Sequence, residues 1–266
     1  MKLIDLHIHS TASDGSLTPT EVVNRANDLG LTAMALTDHD TVTGIDEALE
    51  AAKDLDMEVI PGIEVSCIYK GKEIHILGLY IDHKDPKLLS FLKEASRKRY
   101  DRNMEMLAAF NKDGFEITEE DLLCGNPGTV ITRAHFARAL LKNGYVTSVD
   151  QAFKKYLNPD RPYYRSRELI TPYKLGWAGT EELVSMLTDH GLRGLECFHS
   201  SNNQDESGKL RKLAKKYSLA LTGGSDFHGA AKPDIEIGSG RGGLRVSALY
   251  LDDIKLSMFM AGMGRS

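Results

Sequence analysis

Short apolar segments alternate with amphipathic ones in the first 85 residues of the chain and again after residue 180. Strands separated by helices of about 10–15 residues are joined by crossover connections, which build a parallel sheet or barrel. The alternation therefore predicts an α/β fold. The predicted strands are 3–8, 32–36, 58–65, 74–81, 194–198 and 219–221, and the predicted helices are 21–29, 45–54, 181–189 and 204–217.

Consecutive helical segments interrupt this alternation in the middle of the chain. The predicted helices, separated by glycine and proline, are 88–110, 121–123, 133–141 and 148–156. From this change of pattern we predict two domains. Residues 1–85 and 160–266 form the first, and residues 86–159 form a small, mostly helical insertion.

The composition predicts a cytoplasmic protein that does not contact a membrane. A net charge of −5 gives no overall basic field for tight nucleic-acid binding, although a local basic groove is compatible with it. Cys67, Cys124 and Cys197 form no CxxC pair, which argues against a disulfide framework or a structural zinc site. The N-terminus is too polar for a signal peptide, and no apolar run reaches the roughly 18 residues of a membrane span.

Histidine and acidic side chains recur at the ends of the predicted strands. His7 and His9 are two residues apart and therefore share one face of a strand. Asp226 and His228 repeat this spacing after the last strand, and further members at similar positions are Asp14, His39, Glu64 and His75. In βα-barrels, the C-terminal ends of the strands form the catalytic face.

Each of these residues has an ordinary structural explanation when it is taken alone. A single histidine on a strand is usually a hydrogen-bonded core residue, and an acid after a strand commonly caps a helix or forms a turn. Taken together, they would be costly to bury without partners. Mixed imidazole and carboxylate ligands suit manganese, iron or zinc, and the lack of cysteine argues against structural zinc. The pattern predicts a divalent metal site.

Five short motifs follow one another along the chain: DLHIHS at 5–10, TDHDT at 37–41, GIEV at 62–65, HILG at 75–78 and GSDFH at 224–228. In this order they resemble the PHP (polymerase and histidinol phosphatase) superfamily. The nearest resemblance is to its stand-alone bacterial branch, the nucleoside 3′,5′-bisphosphate phosphatases and related 5′-to-3′ exoribonucleases. It covers nearly the whole chain.

The resemblance implies a distorted (β/α)7 barrel whose helical insertion caps the substrate site. It also implies two to three divalent ions, and hydrolysis of phosphate monoesters by a metal-activated hydroxide with Glu64, Asp226 and His228 as catalytic residues. Carried over by position, the first ion is held by His7, His9, Glu64 and Asp226, the second by Glu64 and His75, and the third by Asp14, His39 and His228.

Three further residues are predicted to contact the substrate phosphate, two of them from the resemblance and the third, His199, from its position. Arg133 and His135 lie in the insertion, and arginine suits the role because its fork matches two phosphate oxygens. His199 is expected at a strand end, facing the site. The alternative for the pair in the insertion is a surface arginine and a packed histidine. The basic run 97–102 is either a solvated helix face or, if its helix overhangs the site, a guide for anionic substrates.

One element of the family pattern has no counterpart in this sequence. The family has a helix and a buried strand ending in Ala-His-Pro after the insertion, whereas here Thr171 is followed almost at once by Tyr173 and the next loop. Either residues are left out of the sequence at this point or the chain is truly shorter. A true deletion leaves the second ion short of a histidine and the barrel with unpaired edges.

Three functions stay open at this point. The first is hydrolysis of small nucleotides such as a nucleoside 3′,5′-bisphosphate, with trimming of short RNA from its 5′ end. The second is a histidinol-phosphate-type phosphatase, which the nucleotide-type insertion disfavours. The third is a degenerate, non-catalytic metal-binding module, which follows from a true deletion. None of the three requires an obligate protein partner.

Overall fold

Four strands form the first sheet of the computed structural model, which describes residues 2–70, 72–158, 161–164 and 177–263. In order across the sheet, they are β1 (Ile4–Ile8), β2 (Ala33–Leu36), β3 (Glu58–Tyr69) and β4 (Lys72–Leu79). The first three are parallel, as predicted. Their connections contain α1 (Pro19–Asp28) and α2 (Ile45–Ala51).

The parallel arrangement expected from the alternation is wrong for β4. This strand pairs with β3 in antiparallel register, from Gly62 opposite Leu79 to Tyr69 opposite Lys72. Residues 70 and 71 alone separate the two strands, which is too short a connection for the crossover that a parallel partner needs. The sequence carried this signal, because no helix is predicted between the strands 58–65 and 74–81.

The last part of the chain contains a second sheet of two parallel strands, β5 (Gly194–His199) and β6 (Ala220–Gly224). The helix α7 (Trp177–Asp189) precedes β5, α8 (Gln204–Lys216) connects the two strands, and α9 (Leu249–Met263) follows β6. The second sheet meets the first where β6 lies beside β1. Beyond β6, the Asp226 N–H donates to the His7 carbonyl at 2.9 Å, and the His9 N–H donates to the Phe227 carbonyl at 3.0 Å. The sheets therefore curl so that the ends of β1 and β6 lie side by side.

These elements form an α/β fold with a curled, mostly parallel sheet. The helix and strand expected before residue 175, together with the join between Thr171 and Tyr173, lie outside the described residues. Closure into a seven-stranded barrel stays a prediction. Within the described ranges, no helix is both long enough and apolar enough to cross a membrane.

The middle of the chain is helical, as the sequence predicts. Its helices are α3 (Pro86–Lys112), α4 (Glu119–Leu123), α5 (Arg133–Lys142) and α6 (Val149–Ala152), which continues into a π-helical turn at Phe153–Leu157. They surround an apolar cluster of their own, whose large buried side chains include Met106, Phe110, Leu122, Phe136 and Leu140. The division into two domains stays a prediction.

Gly224, the last residue of β6, lies against β1 with no room for a side chain. A Cβ atom built there would be 2.4 Å from both the N and the Cβ of His7, and 2.7 Å from Asp5 Oδ1. We expect Gly224→Ala to lower the free energy of unfolding by about 3 kcal/mol, because only movement of a strand relieves this clash. Urea unfolding measures the change. Gly243→Ala is the control, since nothing lies within 4 Å of a Cβ built there, and equal stability of the two variants would contradict the close approach.

Candidate metal centre

The carboxylate of Glu64 lies in the middle of four histidines. Its Oε2 atom is 3.4 Å from His7 Nε2, 3.3 Å from His9 Nε2 and 2.9 Å from His39 Nδ1. Its Oε1 atom is 2.7 Å from His75 Nδ1. These residues lie on, or directly after, the four adjacent strands β1 to β4, so the order of the sheet assembles the group.

Asp14 forms a second acidic centre beside the first. Its Oδ1 atom is 3.2 Å from His228 Nε2 and 3.9 Å from His9 Nδ1, and its Oδ2 atom is 3.9 Å from His39 Nε2. The rings of His9 and His228 stack with their centroids 4.1 Å apart. Because His9 and His39 also contact Glu64, the two acidic centres belong to one cluster.

Asp226 completes the cluster from the side of β6. Its Oδ1 atom is 3.7 Å from His7 Nε2, 3.4 Å from His9 Nε2 and 3.4 Å from His228 Nδ1. Its φ of +58° lies in the left-handed region, which residues other than glycine rarely adopt. Strain of this kind persists only where the surrounding structure enforces it, and it is concentrated at functional sites.

Several buried polar atoms of the cluster lie close to one another but form no hydrogen bond of suitable geometry. They are His7 Nε2, both ring nitrogens of His9, Asp14 Oδ1, His39 Nδ1 and Glu64 Oε2. Leaving such atoms unpaired is unfavourable, and imidazole nitrogens and carboxylate oxygens are ligands for divalent transition-metal ions. The residues therefore fit bound divalent cations.

The donor atoms also fall into groups small enough for single ions. The atoms of each group lie within 4.8 Å of one another, and the groups are His7, His9 and Glu64; His39, Glu64 and His75; and His9, Asp14, His39 and His228. Asp226 belongs to none of these three groups, although its Oδ1 atom borders them. The structure thus brings all eight predicted ligands together.

Burial and neighbouring charges set the protonation of the cluster. Burial and two adjacent imidazoles lower the pKa of His9 to about 3. Burial alone would raise the pKa of Glu64, but His39 and the other imidazoles hold it well below its ordinary value. Burial would lower the pKa of His7, whereas Glu196 and Glu64 raise it well above its ordinary value. Ionised Glu64 and neutral His9 are in the states that bind a cation.

Glu196 on β5 is a member of the site that sequence reasoning missed. Its Oε1 atom lies 3.0 Å from His7 Nδ1, and a carboxylate in this position holds the Nδ1 proton so that Nε2 faces the cluster. His228 is oriented in a similar way, since its Nδ1 lies 2.8 Å from the Asp226 carbonyl. The signal in the sequence was an acid inside the otherwise apolar segment 194–198.

His199 ends β5 and faces the cluster, as expected. The Ser201 N–H donates to its Nδ1 at 3.0 Å, which places the proton of the neutral ring on Nε2. This Nε2 lies 3.5 Å from Asp226 Oδ2. His7, Glu196 and His199 are close enough to hold an ion. However, the protonated Nε2 of His199 is a hydrogen-bond donor and offers no lone pair to a metal ion. Its contact with a substrate phosphate stays a prediction.

A cavity of about 680 Å³ opens over the cluster. Asp14, His75 and His228 line it from the cluster side, and Arg133 and Lys232 also line it. Arg133 is the first residue of α5, so the structure places this predicted phosphate ligand at the cavity.

His135, the other predicted phosphate ligand in the insertion, is not among the residues lining the cavity. It is 2% exposed, and its Nδ1 accepts the Thr132 N–H at 3.0 Å. The Thr132 hydroxyl in turn donates to Asp14 Oδ2 at 2.9 Å. In this structure His135 positions Thr132, which contacts the cluster.

The loop that carries Asp14 is attached to the segment before α5. Asn126 Nδ2 donates to the Thr11 carbonyl at 2.8 Å, and the Thr129 hydroxyl donates to the Ser13 carbonyl at 2.6 Å. Together with the bond from Thr132, these contacts join the helical part of the chain directly to the candidate metal site.

The basic run at the middle of α3 is divided between two environments. Arg97 and Lys98 are exposed, as a solvated helix face requires. Arg99 is 7% exposed and forms an ion pair with Asp40, and Arg102 lines the cavity. The sequence pattern alone did not separate the two pairs, because the burial of a helix face depends on what packs against it.

The pH dependence of stability tests the buried state of His135. Burial, with the charge of Arg138, lowers its pKa from 6.5 to about 4. The unfolded chain therefore binds more protons between pH 6.5 and 4, and the folded state loses stability as the pH falls through this window. His135→Gln removes the titration and keeps an acceptor for the Thr132 N–H.

Between pH 7 and pH 5, we expect the wild type to lose about 2 kcal/mol more unfolding free energy than His135→Gln. Urea titrations at the two pH values measure the difference. Equal losses in the two proteins would contradict a buried, neutral histidine.

Several known proteins are similar to this chain in sequence, and one solved structure is similar to it in fold. Residues 5–164 match the family model of the PHP domain. A 5′-3′ exoribonuclease of Haemophilus influenzae is 35% identical over 248 residues, covering 85% of this chain and 90% of that protein. A 3′,5′-nucleoside bisphosphate phosphatase of Chromobacterium violaceum is 33% identical over 261 residues, covering 90% and 91%. A crystal structure from Bifidobacterium adolescentis, of a protein inferred to be a metal-dependent phosphoesterase, is 28% identical with a TM-score of 0.82 over 96% of both chains.

The match to the Haemophilus protein also shows a difference in length. The alignment extends over 248 positions, whereas 85% of the 266 residues here is about 226 residues. About 22 positions of the alignment therefore have no counterpart in this chain. The gap predicted between Thr171 and Tyr173 lies outside the described residues, so the place of these positions stays a prediction.

Proposed function

This chain belongs to the PHP domain family, and from that premise we propose that it releases phosphate from small nucleotides, with nucleoside 3′,5′-bisphosphates as its main substrates. Its relatives support the broader statement that it is a metal-dependent phosphoric ester hydrolase. Trimming of short RNA from the 5′ end is the second activity we propose, since a relative of similar identity carries the name 5′-3′ exoribonuclease.

One observation carries this proposal. Buried imidazole and carboxylate atoms without partners lie together at the floor of a cavity whose wall includes Arg102, Arg133 and Lys232. Cation ligands below and fixed positive charges around the opening match a substrate that has anionic phosphate groups. A cavity of about 680 Å³ is also within the usual range for small-molecule sites.

We keep the assignment of ligands that the resemblance to the family implies. His7, His9, Glu64 and Asp226 would hold one divalent ion, Glu64 and His75 a second, and Asp14, His39 and His228 a third. Such ions lower the pKa of bound water and neutralise charge on phosphoryl oxygens. Manganese, iron and zinc all accept these ligand types.

The protein side chains have separate tasks in this proposal. Glu196 holds the ring of His7, and the Asp226 carbonyl holds that of His228, so that each Nε2 faces the cluster. Arg133 binds a phosphate group of the substrate, and the Nε2–H of His199 donates to a substrate oxygen. We further propose that the fold closes as a distorted (β/α)7 barrel from residues 1–85 and 160–266, capped by residues 86–159.

Phosphate release from a small panel of substrates tests the proposed function. We expect the manganese-loaded protein to release phosphate from adenosine 3′,5′-bisphosphate faster than from histidinol phosphate, and to shorten 5′-phosphorylated RNA. Bound metals are quantified in the same samples, and Asp226→Ala is the inactive reference. Faster turnover of histidinol phosphate, or release that Asp226→Ala does not reduce, would overturn the proposal.

A further inference from the structure

Lys232 is a cation of the cavity wall that neither the sequence motifs nor the proposed ligand set accounts for. It follows the short 3₁₀ turn Gly229–Ala231 after His228. Its Nζ lies 2.5 Å from Asp226 Oδ2, and its side chain is 36% exposed. Asp14 and His228 line the same cavity.

The two oxygens of Asp226 face different surroundings. Oδ1 lies among His7, His9 and His228, whereas Oδ2 contacts Lys232 and His199. A divalent cation held by this carboxylate shares its negative charge and repels the nearby ammonium group. The attraction between Lys232 and Asp226 is therefore weakest when the site is loaded.

A lysine can exchange partners under these conditions. Its ammonium group carries three donors on a flexible four-carbon stem, and it binds phosphate as a point charge. Because Lys232 is partly exposed and already lines the cavity, a phosphate group lying over the cluster is the anion within its reach.

We propose that Lys232 binds the phosphate group that lies over the metal cluster, and that it transfers to this group from Asp226 when the site is loaded. This inference rests on the proposed function, because it assumes that a phosphate ester occupies the cavity. With Arg133, it gives the substrate two proposed phosphate contacts on different elements, since Arg133 lies on α5 and Lys232 follows β6. A substrate with two phosphate groups, such as a nucleoside bisphosphate, matches that arrangement.

Binding of inorganic phosphate to the manganese-loaded protein tests the inference without turnover. Relative to wild type, we expect Lys232→Met to raise the Kd for phosphate by roughly 10- to 100-fold, the size expected for a lost hydrogen bond to a charged group. Lys232→Arg keeps a positive donor and should recover most of the affinity. Lys212→Met, an exposed position on α8, is the control and should bind phosphate as wild type does.

Calorimetry and elemental analysis on the same samples separate the outcomes. Unchanged phosphate affinity in Lys232→Met would overturn the inference. A loss of bound manganese in Lys232→Met would also overturn it, because Lys232 would then affect phosphate binding only by holding Asp226 in place. If phosphate binding depends on Lys232 but the protein hydrolyses no nucleotide, the inference about Lys232 stands and the proposed function is overturned.

Discussion

Glu64→Gln is expected to lower phosphate release from a nucleoside bisphosphate by about a thousandfold or more. Glu64 is the acid nearest to four histidines, with Oε2 2.9 Å from His39 and Oε1 2.7 Å from His75. The amide keeps the size of the side chain but removes its charge and one acceptor oxygen, which would weaken the binding of any divalent ion that Glu64 holds. Metal ions supply several kcal/mol of transition-state stabilisation, and each 1.4 kcal/mol is about tenfold in rate.

The control for this variant is the first residue of the same strand, β3. Glu58→Gln makes the same chemical change where the side chain contacts Tyr80 and Lys255 instead of the cluster. Initial rates of phosphate release, with metal content measured alongside, should be near wild type for Glu58→Gln and at background for Glu64→Gln. If Glu64→Gln retains a tenth of wild-type activity, Glu64 is not a shared ligand.

Removing the metal should have the second-largest effect, this time on stability. The folded protein buries several charged and polar atoms that lack partners, and a cation supplies partners in the folded state alone. A ligand at about a thousand times its Kd stabilises the folded state by roughly 4 kcal/mol for each site. For a chain of this size, that is a rise in Tm on the order of 10 °C.

Thermal unfolding with and without manganese measures this effect. Chelated wild-type protein should unfold on the order of 10 °C below the manganese-saturated protein, Glu58→Gln should behave in the same way, and Glu64→Gln should show a much smaller difference. Identical Tm values with and without manganese in the wild type would contradict metal binding at the cluster.

The sequence predicts which side chains come together in the cluster better than it predicts the fold around them. His7 and His9 were placed side by side correctly, because residues two apart on a strand share a face. The direction of β4 is predicted wrongly. The parallel arrangement expected from alternating strands and helices was extended to β4, although no helix is predicted between β3 and β4. Strand direction depends on the length of a connection, which hydrophobic periodicity does not report.

The residues that support the ligands were harder to find. Glu196 and Lys232, which contact His7 and Asp226, both lie outside the motifs that identified the ligands. His135 was predicted as a phosphate ligand from the resemblance, but the structure buries it under Thr132, where its ring completes the cap of α5. The contact between His7 and Glu196 joins segments that are far apart in sequence, whereas Lys232 and His135 lie only six and three residues from their partners. In all three cases the contact depends on the folded path of the backbone, which the motifs do not describe.

The attachment of the Asp14 loop to the helical segment limits how such a protein can be re-engineered. A natural plan for altering specificity is to graft another relative's cap onto this scaffold, treating the cap as an exchangeable module. Here Asn126, Thr129 and Thr132 hold the backbone and the carboxylate of residues 11–14. A transplanted insertion would therefore need its own version of that loop. The exchanged segments would have to include residues 11–14 as well as residues 86–159.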